Sequence, residues 1–190
     1  MSTSPVRVLV FAGALRKSSQ NRKFAAVAAA RAKKAGAEVD HLDFAEVAMP
    51  VYDGDIEEAS GLPQGAVELR RRIASAQALI ISSPEYNASI PGALKNAIDW
   101  ASRPPSPPFA KKVGLLLAAS PGAFGGIRML PELRRVLSGL GVMVISPQLA
   151  LGRSHEAFDE AGELKNEHTS KDLDSAIAEL LTVTRKLAAE

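Results

Sequence analysis

The sequence predicts a single α/β domain built on a doubly wound sheet of five parallel strands, with helices on both faces. Three observations carry that expectation. Five short runs rich in apolar and β-branched residues recur along the 190 residues. They show little alternation of polar and apolar positions, the pattern of a strand covered on both faces. A stretch with helical periodicity follows each of them. A chain of 20.0 kDa is also the size of one domain with one continuous core.

The elements follow in order along the chain. Val6 to Ala12 is the first strand, and Gln20 to Gly36 reads as a helix ended by its glycine. Ala37 to Leu42 is the second strand, followed by a helix over Ala66 to Ala76. Ala78 to Ser82 is the third, followed by Pro91 to Ser102, a helix with proline in its first turn. Val113 to Ala118 is the fourth, and the next helix sets Leu130, Leu133, Val136, Leu137 and Leu140 opposite Glu132, Arg134 and Arg135. Val142 to Ile145 is the fifth strand, and a last helix buries Leu173, Ile177, Leu180, Leu181, Thr184 and Leu187. Right-handed crossovers leave few ways to join such units, and the strand order 2-1-3-4-5, the flavodoxin-like arrangement, is the natural one. Arg103 to Pro108 reads as a stiff linker, and Gly152 to Thr169 as a solvated loop, with a lid as the alternative.

Composition narrows the function. A net charge of +2 is too small for a nucleic-acid footprint, despite a pI of 9.0. With no cysteine there is no thiolate metal site and no cysteine nucleophile, so redox chemistry would need a bound cofactor. His41, His155 and His168 lack metal-ligand spacing, so no metal site is expected. The longest apolar run, Val113 to Ala119, is far shorter than the roughly 20 residues of a membrane span, and no basic leader precedes the first strand. The expected location is cytoplasmic.

In an open parallel sheet, ligands bind beyond the carboxyl ends of the strands. After the first strand comes G-A-L-R-K-S-S-Q-N-R, Gly13 to Arg22, which brings Arg16, Ser18, Ser19 and Asn21 to a helix N-terminus suited to a phosphate. The alternative is that a serine only caps the helix while Arg16, Lys17 and Arg22 face solvent. Neither a Walker lysine motif nor G-x-G-x-x-G is present, which favours a monophosphate over a triphosphate or a resident dinucleotide. After the third strand, Tyr86 offers a flat face beside the amide of Asn87, between Pro84 and Pro91; the alternative is a packed turn. After the fourth, Gly122, Gly125 and Gly126 permit close backbone approach to a ligand, or form an ordinary flexible turn.

The segment Pro84 to Trp100 matches P-E-Y-N-x-S-x-P-G-x-L-K-N-A-I-D-W without a gap, and over Val6 to Ile145 the chain resembles the NADPH-dependent FMN reductase family, a flavodoxin-like group that includes quinone, chromate and azo-dye reductases. The resemblance implies that Arg16, Ser18 or Ser19, Gln20 and Asn21 hold the FMN phosphate. It also implies that Pro84, Glu85, Tyr86 and Asn87 line the isoalloxazine, with Ser120 and Gly122 on its other side. Ala14 departs from the family's usual serine, which removes one hydroxyl ligand. The implied chemistry is hydride transfer from NADPH or NADH through flavin N5 to a small acceptor such as a quinone, azo compound, chromate or free flavin. The flavin carries that chemistry, so no protein acid–base residue is required. A ping-pong scheme follows, and Gly125, Gly126 and Arg128 are candidates for contacting the nicotinamide nucleotide. A homodimer or homotetramer through the helix from Gly92 to Ser102 is implied as well. The rival reading is a non-catalytic flavodoxin-type electron carrier that docks on protein partners; such carriers tend to be acidic, and this chain is slightly basic.

Overall fold

The computed structural model describes residues 4–189. Its strands are β1 (Arg7–Ala12), β2 (Glu38–Leu42), β3 (Ala78–Ser83), β4 (Val113–Ala119) and β5 (Met143–Leu151). The helices are α1 (Gln20–Lys34), α2 (Gly54–Ser60), α3 (Gln64–Ser75), α4 (Gly92–Ala101), α5 (Met129–Gly139) and α6 (Glu167–Leu187), with a single turn of tighter helix at Phe44–Val47. The sheet order is β2-β1-β3-β4-β5. Every neighbouring pair is parallel, as the sequence predicts.

Each central strand divides its side chains between two cores, because successive residues point to opposite faces. Val8, Val10 and Ala12 join Ile80, Leu115 and Leu117 against Phe24 and Ala28 of α1 and Leu173, Ile177 and Leu180 of α6. Leu9 and Phe11 join Leu79, Ile81 and Leu116 against Leu69 and Ile73 of α3, Leu94 and Ile98 of α4, and Leu130 and Leu133 of α5. Both faces of β1, β3 and β4 are therefore dry. The lack of alternation in their sequences has this cause.

Four local features differ from expectation. β2, at the edge where the expected order places it, is not covered on both faces: Glu38, Asp40 and His41 are exposed. α2 buries none of its residues, so it leaves no apolar stripe for periodicity to detect. β5 continues past Ile145 to Leu151, where a register shift lets Gln148–Leu151 pair with Leu116–Ala119. Pro147 interrupts the apolar run but is tolerated because β5 lies at the sheet edge. The expected loop 152–169 is in part a small hairpin: Phe158 bridges Leu164, both are buried, and Asp159 N–H donates to Glu163 O at 2.9 Å. Among the described residues no helix is long and apolar enough to cross a membrane.

Candidate functional site

The order 2-1-3-4-5 sends the chain from β1 to one side of the sheet and from β3 to the other, which makes their carboxyl ends the switch point beyond which open parallel sheets bind ligands. The loop after β1 forms one wall. Gly13 N–H donates to Ser82 O at 2.9 Å. A Cβ there would come within 2.7 Å of Leu94 Cδ2, so glycine lets the loop approach α4 without displacing that buried leucine. Ala14 is buried, and the chain then emerges, with Leu15, Arg16, Lys17 and Ser18 exposed.

The two serines, which the sequence leaves interchangeable, are separated by the structure. Ser19 caps α1, its Oγ accepting Asn21 N–H at 3.2 Å. Ser18 Oγ faces the rim and accepts Arg16 Nε–H at 2.8 Å. Among the described residues, none accepts a hydrogen bond from the amides of Leu15, Arg16, Lys17 or Ser18. The first turn of α1 carries no acidic residue of its own at the positive end of this 15-residue helix. Gln20, in that first turn, has a buried Oε1 with no partner.

Asn21 does something else. Its side chain is buried, Nδ2 donates to Ala119 O at 2.8 Å, and Oδ1 accepts both Ala119 N–H at 2.8 Å and Ser82 Oγ–H at 3.0 Å. It bolts the start of α1 to the ends of β3 and β4. Arg22 is likewise committed, paired with Asp43. The Ala45 N–H and then the Arg22 guanidinium hold the Asp43 carboxyl below its ordinary range. Arg16 and Lys17 remain as the cations in this loop without a carboxylate partner among the described residues.

The loop after β3 forms a second wall. Tyr86 N–H donates to Ser89 O at 3.1 Å and Ser89 N–H to Tyr86 O at 3.0 Å, closing a two-residue turn with φ of 51° at Asn87 and 62° at Ala88. Positive φ at both central positions is the hairpin turn that asparagine tolerates well and alanine poorly. The turn leaves Pro84 partly buried and projects Tyr86 and Asn87 outward, Tyr86 being 56% exposed. Glu85 points inward instead. Its Oε2 accepts Arg128 N–H at 2.9 Å, and its Oε1 lies 3.4 Å from Arg128 Nη1.

The loop after β4 completes the edge. Ser120 Oγ accepts Gly122 N–H at 3.3 Å, and both residues reach the surface. Gly125 and Gly126 are buried, so their missing side chains make room for protein. A Cβ on Gly125 would come within 2.7 Å of backbone at Ala150, Leu151 and Gly152, and one on Gly126 would touch Ala118 and Glu85. Packing thus accounts for both glycines, whereas Arg128 is exposed and could meet a ligand. The amides of Asn87, Ala88, Ala123 and Phe124 donate to none of the described residues. These free donors stand on the loops that face one another across the strand ends.

Over residues 6–156 the sequence matches the model of the NADPH-dependent FMN reductase family. The chain belongs to that family. It is 35% identical over 183 residues to the NAD(P)H-dependent FMN reductase of Pseudomonas aeruginosa, covering 96% of this chain and 97% of that protein. It is 36% identical over 167 residues to the quinone reductase of Escherichia coli K12, covering 86% and 87%. The solved structure of FerB, a flavoenzyme NAD(P)H:(acceptor) oxidoreductase from Paracoccus denitrificans, aligns over 95% of this chain and 98% of its own, with a TM-score of 0.83 and 29% identity. This NADPH-dependent FMN reductase family member is therefore an oxidoreductase that works with FMN and NAD(P)H.

Two features of the site lie beyond the sequence reading. Phe124, between the glycines of the β4 loop, is 70% exposed, and the Arg128 guanidinium lies 5.8 Å from its ring centroid. An aromatic residue within a glycine-rich loop was its available signal. The second concerns the K-N-A-I-D-W stretch. Asn96 accepts Tyr52 N–H at 2.7 Å and donates to Pro50 O at 2.8 Å, while Trp100 Nε1–H donates to the same carbonyl at 2.9 Å. These contacts hold the segment 50–52 against α4, with Val51 81% exposed beside an apolar groove lined by Leu15, Met49, Ala93 and Ala97.

Proposed function

We propose that the chain is an NAD(P)H-dependent quinone reductase whose resident FMN sits with its phosphate at the α1 N-terminus and its ring between the β3 and β4 loops. One observation carries the placement: free backbone donors, a helix N-terminus with no acidic residue in its first turn and the cations Arg16 and Lys17 gather at the loop after β1, beside the switch point of the sheet. That donor set fits a dianionic phosphate, because it contains donors and no carboxylate.

Bound there, FMN supplies the hydride chemistry. The chain holds and frames it. Arg16 and Ser18 grip the phosphate, with Gln20 turning its terminal amide toward the same corner, while Ser19 and Asn21 act by fixing the start of α1. Pro84, Tyr86 and Asn87 border one side of the ring, and Ser120 and Gly122 the other. Glu85 ties the two bordering loops together, and the amides of Asn87, Ala88 and Ala123 suit the polar edge of a heteroaromatic ring. Arg128 stands at the open side, where the nicotinamide nucleotide and the acceptor bind in turn. Gly125 and Gly126 support that wall from behind. A second copy of the chain covers the apolar groove beside α4 and Val51, giving a homodimer or a dimer of dimers.

Steady-state oxidation of NADPH or NADH with a benzoquinone tests this. Parallel lines in double-reciprocal plots at several quinone concentrations are expected for binding in turn, and intersecting lines contradict it. Negligible NAD(P)H oxidation by a flavin-loaded protein would instead favour the electron carrier.

A further inference from the structure

Phe124 is an exposed ring on a fixed support. The loop that carries it is tied at Gly122 O, which accepts Gly125 N–H at 3.4 Å and Arg153 N–H at 3.1 Å, and at Phe124 O, which accepts Ile127 N–H at 3.1 Å. Gly125 abuts the β5 backbone, and Gly126 abuts Glu85. Arg128, held by Glu85 through both its amide and its guanidinium, lies 5.8 Å from the ring centroid. Elsewhere Phe11, Phe24, Phe44, Phe109, Phe158 and Trp100 are all buried, whereas Tyr86 and Phe124 are exposed on the two loops that Glu85 and Arg128 join. Leaving a phenyl ring in water forfeits the burial that favours such residues inside. A ring held there in one place is suited to meeting a flat partner.

We infer that Phe124 is a specificity-determining residue for the acceptor: its ring stacks on planar aromatic acceptors, with the Glu85–Arg128 pair holding it in position. The inference rests on the FMN site proposed above. A ring wall helps only acceptors that have a flat face to cover. Compact inorganic acceptors such as hexacyanoferrate gain nothing from it.

The test compares wild type with Phe124→Ala and Phe124→Tyr, all loaded with FMN. Calorimetry on the oxidised enzyme, without reductant, gives the Kd of naphthoquinone. It is expected to weaken about fivefold in Phe124→Ala and to recover in Phe124→Tyr, the scale of one lost aromatic pair. The KM for naphthoquinone rises in parallel, while the KM for hexacyanoferrate and the Kd for FMN stay within about twofold. Equal changes for both acceptors, no change for either, or a change in oligomer size in Phe124→Ala would overturn the inference and leave the FMN site standing. A wild-type protein that binds no FMN would overturn both.

Discussion

Ser18 and Asn21 stand three residues apart, one before and one inside the first turn of α1, and do different work. Ser18 lies at the rim beside Arg16, whereas Asn21 spends its whole carbonyl and one amide proton on the ends of β3 and β4. Removing the Asn21 amide strands the buried N–H and C=O of Ala119, so Asn21→Ala is expected to lose about 3 kcal/mol in urea unfolding. Arg16→Ala should leave that unfolding unchanged. Its effect belongs in FMN titration, where losing a charged hydrogen bond to phosphate weakens binding by at least about tenfold. The residue types at this site were legible in the sequence. That Asn21 bolts α1 to the strand ends was not, because its partner Ala119 lies 98 positions away.

At the scale of the element, the turn at Asn87–Ala88 holds an alanine at φ 62°. Ala88→Gly relieves that conformation, and a gain of about 0.5–1 kcal/mol in thermal or urea unfolding is expected. The reverse holds at Gly125, where a methyl group would meet three backbone atoms at 2.7 Å; Gly125→Ala should displace the β4 loop and lower stability by at least about 2 kcal/mol. Asp43 gives a pH dependence to the short helical turn after β2. Its carboxyl is depressed in the folded state by Ala45 N–H and Arg22, so the folded chain binds fewer protons than the unfolded one near the ordinary value of 3.8. The stabilisation is thus fully present above that value and is lost as pH falls through the folded pKa. Asp43→Asn should flatten the acid limb of a stability-versus-pH curve, measured by urea midpoints. Periodicity finds elements that bury a stripe, and this is why α1, α3, α4, α5 and α6 could be read from sequence. It missed α2, which buries nothing, and the far half of β5, whose Pro147 and Gln148 break the apolar run but fit an edge strand.

For the whole molecule, the sheet was legible because three dry strands cannot be written in alternating sequence, and right-handed crossovers then restrict their order. Surface features were harder to read, since exposure has no periodic signature. Val51 and its groove became visible only once Asn96 and Trp100 were seen to hold the segment 50–52 against α4. If a second copy covers this face, Val51→Lys should shift the protein to a smaller species in size-exclusion chromatography with light scattering, because burying an unpaired ammonium is costly. Unchanged size would place the subunit contact elsewhere.

The proposed function depends on whether the loop after β1 holds a phosphate. The decisive measurement is an equilibrium titration of flavin-free protein with FMN and, separately, with riboflavin, followed by flavin fluorescence. Saturation at one FMN per chain, with riboflavin bound at least about tenfold more weakly, is the predicted result. Equal affinity for the two flavins, or no saturable binding of FMN, would contradict it.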